Sequence, residues 1–353
     1  SNKICKVMNN LNRNKKILRI LLSVSHNSGP YNQFFLPSLR IWPNQVRCVT
    51  LKSKIKSQNI KQLYDSKSNF LKFLYSIFKS IYWTDILHLH HANLLPFTIL
   101  AYILKKRIIF TLGTEYKNLK LHHKILLRIF SRFFFSFIAC SKCVEEGLKI
   151  NGYKKVILIR HGINLEQCLN LKTTKRNKYS LCYAGRLVQG KNIPLLSESI
   201  LSLGNKKKIT LSIAGTGNDL SKVRNIITNF NSINVVNMLG QLSRKQTWNL
   251  FRSNQFYISL SNSDGMPIAV LEAIACGCIP ILFESRPHNE LFELGLKFIS
   301  IRSDKKSDIK ESIKNAINLT KEEIESIRLN NNNKILNFSS TKMLEKYQRI
   351  VYY

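Results

Sequence analysis

Acidic residues are scarce in this chain. Asp and Glu number 20 among 353 residues, against 55 Lys and Arg, and the formal net charge is +35. Such a field attracts anions: nucleic acid, an acidic lipid surface or phosphorylated substrates. It also has a plain compositional source, since Lys, Asn and Ile are abundant throughout, as in an A+T-rich coding sequence. Long apolar runs are missing too. The longest, Leu94–Leu104, is about half the ~20 residues a membrane span requires, so no transmembrane helix is expected. Ser1–Ile20 has neither a continuous apolar core nor a small-residue cleavage site. That excludes a secretory signal in this stretch and makes the cytoplasm the expected compartment. Metal-ligand patterns are also absent. Of eight cysteines, Cys140 and Cys143 form the only CxxC and Cys276 and Cys278 a CxC. Without a second CxxC, buried reduced thiols are expected rather than a metal site. His88, His90 and His91 find no further ligand at a recognisable spacing.

An apolar fraction of 44% is that of a globular protein, and the length suits two domains of roughly 100–200 residues each. Short apolar runs alternate with helical patterns nearly everywhere. The first half reads as strands at Ile17–Val24, Gln45–Leu51, Asp85–His91, Arg107–Leu112, Phe135–Cys140 and Lys155–Ile159, with helices at Phe70–Ile81, Leu94–Leu104 (short and buried), Tyr116–Arg132 and Val144–Ile150. Asn170–Ser180 is polar and basic and reads as a linker. The alternation then restarts: strand Ser180–Ala184, helix Ile193–Leu203, strand Ile209–Ala214, helix Asp219–Phe230, strand Ile233–Val236, helix Arg244–Arg252, strand Gln255–Leu260 and, after one more helix, strand Ile279–Phe283. Alternation of this kind is the pattern of parallel sheets wound with helices, whose ligands sit beyond the carboxyl ends of the strands.

Four features of the second half converge on one such edge. In "AGRLVQGKN" a strand ends at Ala184-Gly185, and Arg186 and Lys191 follow, a planar fork and a mobile point charge suited to phosphates. "IAGTGND" carries Gly215 and Gly217 after a strand, either a weak phosphate-loop signal or a tight strand-to-helix turn. "MLGQLSRKQ" places Leu239-Gly240 where backbone could approach a flat ligand. The fourth is "SNSDGMPIAVLEAIACGCIPIL", Ser261–Leu282. Pro267 suits the first position of a helix whose free amides favour an anion. Asp264 precedes it and can accept from hydroxyls or cap amides. Glu272 lies inside an otherwise apolar helix, where an unpartnered carboxylate is costly. A sugar or ribose diol is a fitting partner; a buried Arg or Lys is the structural alternative.

In this order the four stretches resemble the nucleotide-sugar half of the family 4 glycosyltransferases, retaining enzymes of the GT-B fold. Asp264, Gly265, Pro267, Leu271, Glu272, Ala273, Ala275, Gly277 and Pro280 fall in register with that family's E-G-x-P-x-x-x-L-E-A-x-A-x-G stretch and the Pro that follows it. "RHGIN", Arg160–Asn164, is similar to the N-G-V-D segment closing the first domain. The resemblance is strong over Tyr183–Glu290, looser over Asp85–Asn164 and weak before that. It implies an α/β protein of GT-B fold, two Rossmann-like doubly wound domains facing each other across a cleft. The expected boundaries are residues 14–168 for an acceptor-side domain, 169–337 for a nucleotide-sugar domain, and 338–353 for a helix returning to the first.

The resemblance also implies roles. Arg186 and Lys191 match the pair that holds the donor diphosphate and neutralises the leaving group. Glu272 matches the acid that binds the ribose. Asp264 matches the acid facing the donor sugar, with Asp in place of the usual Glu. Gly265, Met266 and Pro267 match backbone that approaches sugar and phosphate, and Gly240 falls near the base site. Gly185 and Gly215 complete the C-terminal donor-binding set. Gly29, in "SGP", stands where the family has a Gly-rich donor loop, with one Gly instead of a pair. "TLGTE" occupies the T-x-H-G position, with Gly113 in place of His and Glu115 as a candidate catalytic acid. No Asp-x-Asp metal motif is present, so the expected donor is a UDP- or GDP-sugar handled by Arg186, Lys191 and a helix start, with no metal and no other cofactor.

On the acceptor side, Lys120, Lys124, Arg128 and Arg132 make a basic stripe beside Leu121, Ile125, Ile129 and Phe133. It fits either an anionic membrane surface carrying a lipid-linked acceptor or an ordinary solvated face. The expected enzyme is a metal-independent hexosyltransferase, peripheral on the inner face of a bacterial plasma membrane, working in O-antigen, capsule or lipopolysaccharide assembly. Competing readings are a nucleotide-sugar epimerase of the same fold, a catalytically silent scaffold and a basic nucleic-acid-binding protein. The last would interleave its cations with exposed aromatics; here aromatics mostly sit in apolar runs, so no nucleic-acid partner is expected.

Overall fold

A computed structural model describes residues 16–24, 37–38, 45–53, 60–62, 70–169, 176–203, 209–230 and 235–352. Gly29 and residues 170–175 of the expected linker lie outside the described residues. The chain forms two compact units. One runs to Gly162 and takes back the segment from Ser340; the other is Ile163–Ser339.

The first unit holds β1 (Ile17–Val24), β2 (Val46–Ser53), β3 (Ile60–Gln62), β4 (Ile86–Leu89), β5 (Arg107–Leu112), β6 (Ser136–Ala139) and β7 (Val156–Leu158). They lie in the order β3-β2-β1-β4-β5-β6-β7, every pairing parallel. β4 and β6 are buried along their whole length. Cover on both faces lets β6 read as an apolar run, whereas β4 alternates in sequence, its His88 as enclosed as the residues around it. Ile17, Ile86, Ile109, Ile138 and Ile159 pack with Met343, Leu344, Tyr347 and Val351 from the returning segment. That segment is the helix Ser340–Tyr347 and the helical turn Gln348–Tyr352. His88 is enclosed there, its Nε2 2.7 Å from Thr111 Oγ1 and its Nδ1 3.0 Å from the Tyr352 hydroxyl. Among the described residues no group of three or more His, Cys, Asp or Glu side chains is placed to hold a metal ion.

The second unit holds β8 (Asn177–Ala184), β9 (Thr210–Ala214), β10 (Val236–Gly240), β11 (Asn254–Ser259), β12 (Ile279–Phe283) and β13 (Ile299–Ile301). Their order is β10-β9-β8-β11-β12-β13, again wholly parallel. Both sheets wind three strands one way and then cross to the other side of the first strand. The reversal falls between β1 and β4 in one sheet and between β8 and β11 in the other. Crevices at the carboxyl ends beside such reversals are where doubly wound sheets bind ligands.

Several elements differ from the sequence reading. Leu94–Leu104 is a 3-10 turn, Ala92–Leu94, followed by the helix Phe97–Ile103. That helix is not buried: Thr98 and Ala101 face inward, while Ile99, Tyr102 and Ile103 are exposed. Tyr116–Arg132 divides into a 3-10 turn at Tyr116–Asn118, the helix Leu121–Phe130 and a second turn at Ser131–Phe133. Part of the expected linker, Asn177–Tyr179, is strand, because β11 offers hydrogen-bonding partners that local polarity does not reveal. Pro267 is the helix N-cap and Ile268 the first helical residue. The Ile268 amide is not free for an anion, since it donates to the Met266 carbonyl at 2.9 Å.

Candidate active site

Three strand ends in the second unit carry glycine side by side. The Gly185 amide donates to the Ala214 carbonyl at 3.0 Å and the Gly215 amide to the Gly240 carbonyl at 2.7 Å. Gly215, at φ +142°, has no room for a side chain: a Cβ would lie 1.8 Å from the Gly185 carbonyl oxygen. Its glycine is therefore demanded by loop packing, the tight-turn alternative. Gly240 also has a positive φ, +66°, but open space where a Cβ would stand. It leaves a flat, uncovered stretch of backbone at the end of β10.

The loop after β8 is pinned by the Tyr183 hydroxyl, which donates to the Arg186 carbonyl at 3.1 Å. Arg186 itself is exposed and makes no ion pair with a described residue. Lys191 turns toward the loop after β11 and pairs with Asp264, a close charge-assisted hydrogen bond. Its ammonium also donates to Ser261 Oγ at 2.9 Å. Ser263 Oγ and the Asn262 amide both donate to the Gly190 carbonyl, each at 3.2 Å, tying the two loops across the reversal. Burial acts to raise the Asp264 carboxyl, but Lys191, Ser261 and His288 outweigh it and hold the group below its ordinary range. Gly265, Met266 and Pro267 are buried at the foot of the next helix.

Glu272 is buried in the Ile268–Ala275 helix, as the apolar sequence around it requires. Its partner is Arg244, whose Nη2 donates to Oε1. The structural alternative thus supplies a partner, at one oxygen. Burial pushes the Glu272 carboxyl above its usual value, and Arg244 and the Trp248 indole N–H offset only part of that. Arg244 opens the Arg244–Ser253 helix, which Ser243 and Gln246 start with a reciprocal capping box.

The structure therefore joins Lys191 to Asp264 and Arg244 to Glu272 at the carboxyl edge of one sheet, and leaves Arg186 without a carboxylate partner. Arg244, Ser261, Trp248 and His288 are not legible as site residues in the sequence. The Ser-x-x-Gln cap before Arg244 is the one available signal. His288 is fully buried, and its Nδ1–H donates to the Phe283 carbonyl at 2.7 Å. Burial keeps the imidazole neutral, against the opposing pull of Phe283 and Asp264. Nε2 is then an acceptor without a described partner.

In the first unit, Glu115 follows β5 and is buried. Its Oε2 lies 2.8 Å from Lys117 Nζ, and its Oε1 is buried without a described partner. Lys120 precedes the Leu121–Phe130 helix, Lys124 and Arg128 lie on it, and Arg132 lies in the Ser131–Phe133 turn that follows. Lys120, Arg128 and Arg132 are exposed and Lys124 half-buried. Leu127 and Phe130 make the inner face, while Leu121, Ile125 and Ile129 are 74%, 51% and 44% exposed.

Residues 171–348 match the family described as Glycosyl transferases group 1. The chain belongs to that family. An uncharacterized glycosyltransferase of Methanocaldococcus jannaschii is 24% identical over 234 residues, 60% of this chain and 57% of that protein. The GtfA subunit of a UDP-N-acetylglucosamine–peptide N-acetylglucosaminyltransferase from Limosilactobacillus reuteri subsp. suis is 30% identical over 130 residues. That match covers 36% of this chain and 25% of the relative, so the chain spans little more than half of one of these proteins and a quarter of the other. Among solved structures, Anabaena HepE in complex with UDP-glucose is similar with a TM-score of 0.81 at 13% identity, covering 96% of this chain and 100% of that one. Pneumococcal GtfA in complex with UDP and GlcNAc gives 0.77 at 14% identity, covering 97% and 99%. These likenesses carry the fold, which is GT-B.

Proposed function

We propose that this group 1 glycosyltransferase is a retaining, metal-independent hexosyltransferase that takes its sugar from a nucleotide diphosphate, with UDP-sugars the first choice. The acceptor is a lipid-linked or polysaccharide glycan in bacterial surface-glycan assembly: O-antigen, capsule or lipopolysaccharide. The observation that carries the donor reading is the carboxyl edge of the second sheet, which carries the buried Glu272, the open Gly240 backbone at the end of β10, and Arg186 and Lys191 beside the β8–β11 reversal. The UDP held by HepE and by GtfA in their solved structures favours uridine as the base.

Each group then has a task. Gly240 backbone receives the base and Glu272 the ribose hydroxyls. Arg186, with no carboxylate of its own, meets the diphosphate, and Lys191 shares its ammonium between Asp264 and the phosphate. As the sugar–phosphate bond breaks, negative charge grows on the departing diphosphate where these cations already stand. Asp264, held ionised, faces the developing positive charge on the sugar. The acceptor hydroxyl attacks from the same face, which gives retention. Glu115 is the candidate acid from the first unit. The exposed basic and apolar face at Leu121–Phe130 supports an anionic membrane surface as partner, on the cytoplasmic side. No helix among the described residues is long and apolar enough to cross a membrane.

The test is a thermal-shift panel of UDP-, GDP-, ADP- and dTDP-sugars in the presence of a chelator, followed by transfer assays. The expected result is stabilisation by one of the diphosphate sugars and transfer to a lipid-linked acceptor but not to a peptide. Conversion of the donor sugar without any acceptor would favour an epimerase. Stabilisation by duplex DNA and by no sugar nucleotide would defeat the proposal.

A further inference from the structure

Arg244 is a built part of this edge that the donor scheme does not use. Its guanidinium lies over the Trp248 ring, 5.3 Å from the centroid, and one N–H reaches Glu272. The side chains of Arg244 and Glu272 are 21% and 8% exposed, so the pair is largely but not wholly closed from solvent. An arginine presents five N–H donors in a rigid fork, and a single contact to one carboxylate oxygen orients the other oxygen.

The other elements packed on the Glu272 helix carry charges of their own, among them Glu166, exposed on the Leu165–Leu169 helix, and Arg252, buried on the Arg244–Ser253 helix, but the groups that shift Glu272 are Arg244 and Trp248. The Leu165–Leu169 helix contributes Cys168, a thiol that the neighbouring Cys276 and burial push well above its ordinary range. The Lys321–Ile335 helix contributes Arg328, which is engaged at the far end of the Glu272 helix, on the Gly277 carbonyl and on Gln255, both at 3.0 Å. Tyr257 of β11 is near Asp264 instead, and β12 carries no titratable side chain. Among the described residues, Arg244 and the Trp248 indole are the groups that favour a charged Glu272.

We infer that Arg244 is a positioning residue for donor binding: it fixes one oxygen of Glu272 so that the nucleotide ribose meets a preformed acceptor. The inference rests on the reading of Glu272 as the ribose acceptor. Its consequence is a pH signature. With Arg244 gone, burial is opposed less, Glu272 moves further up, and a larger share of the carboxyl is neutral at a given acid pH. A protonated carboxyl must spend one oxygen as a donor and no longer serves both ribose hydroxyls. Donor affinity should then fall with acid and recover as the pH rises.

The experiment is calorimetric titration of the full chain with UDP-glucose, UDP-N-acetylglucosamine and GDP-mannose, from about pH 5.5 to about pH 8.5, a range in which their diphosphate diesters stay fully charged. Wild type and Arg244→Lys are expected to bind one of them with a nearly flat profile. Arg244→Met is expected to bind more weakly, losing up to about tenfold in affinity per pH unit toward acid. The double variant Arg244→Met/Glu272→Gln should be weak and flat. If Arg244→Met does not fold, Arg244→Gln, which keeps a donor without the charge, is read in its place. An equal loss at every pH, or no loss, overturns the role of Arg244 while leaving the donor reading intact. Failure of the wild type to bind any of the three sugars overturns both.

Discussion

Lys191 and Arg244 lie mostly enclosed against Asp264 and Glu272, whereas Lys120, Arg128 and Arg132 stand exposed beside Leu121, Ile125 and Ile129. The same residue types serve different physics in the two regions. At the sheet edge each cation acts over one or two contacts in a low-dielectric setting, where geometry decides the strength and salt screens little. On the Leu121–Phe130 helix the cations act as a field over a surface, screened within a Debye length of about 10 Å at 0.1 M salt. A net charge of +35 says nothing about which of its members belong to which kind.

The comparison is sharpest at Glu272. Glu272→Ala should weaken sugar-nucleotide binding by about a hundredfold or more. It should also cost roughly 3 kcal/mol of stability, the lower end for a broken buried pair because Arg244 keeps some solvent. Calorimetry and urea unfolding measure the two, and unchanged donor affinity would reduce the pair to a structural one.

Lys191→Met should lower the transfer rate about 10²–10³-fold while changing donor affinity less, since its charge matters most as the diphosphate departs. Steady-state kinetics against a binding titration separates these. A loss confined to affinity would assign Lys191 to ground-state binding.

A smaller effect is expected on the first unit. Arg128→Gln/Arg132→Gln should weaken binding to phosphatidylglycerol vesicles by about 1 kcal/mol per charge at low salt. The difference should vanish at about 0.5 M salt, with donor affinity untouched. A drop in donor affinity as large as the drop in vesicle binding would erase the distinction between the regions.

The smallest effect is in pH dependence. Asp264 has a lowered value in the folded protein, so its contribution to stability is present above the ordinary carboxylate range and lost as pH falls through the folded value. Glu272 has a raised value and the opposite sign: its contribution favours folding at low pH and is lost as pH rises through the raised value. Unfolding of wild type and Asp264→Asn between acid and neutral pH should diverge only on the neutral side. Parallel curves throughout would mean that Lys191 does not hold Asp264 in solution.

Much of this architecture was legible residue by residue. β12 and the Leu181–Ala184 half of β8 announce themselves because strand segments covered on both faces are mostly apolar. The glycines after Ala184 and Ala214 mark strand ends, and the acid within "IAVLEAIA" is conspicuous because burial of a charge demands a partner. Less legible were elements whose partners come from elsewhere. Asn177–Tyr179 looks like linker until β11 lies beside it. Leu94–Leu104 looks buried until its outer face is found uncovered.

By itself, the amino-acid order determined the alternation of strand and helix, the two-part plan and the chemistry available at each strand end, because propensity, periodicity and turn residues are local properties. Only the tertiary structure decided the pairings. It set Lys191 against Asp264, and gave Glu272 an arginine from 28 residues earlier in the chain. The first follows from strand order, which brings β8 next to β11, and the second from the packing of the Arg244–Ser253 helix on the Ile268–Ala275 helix. A charge's partner is set by the neighbours that the sheet supplies, and no local pattern encodes them.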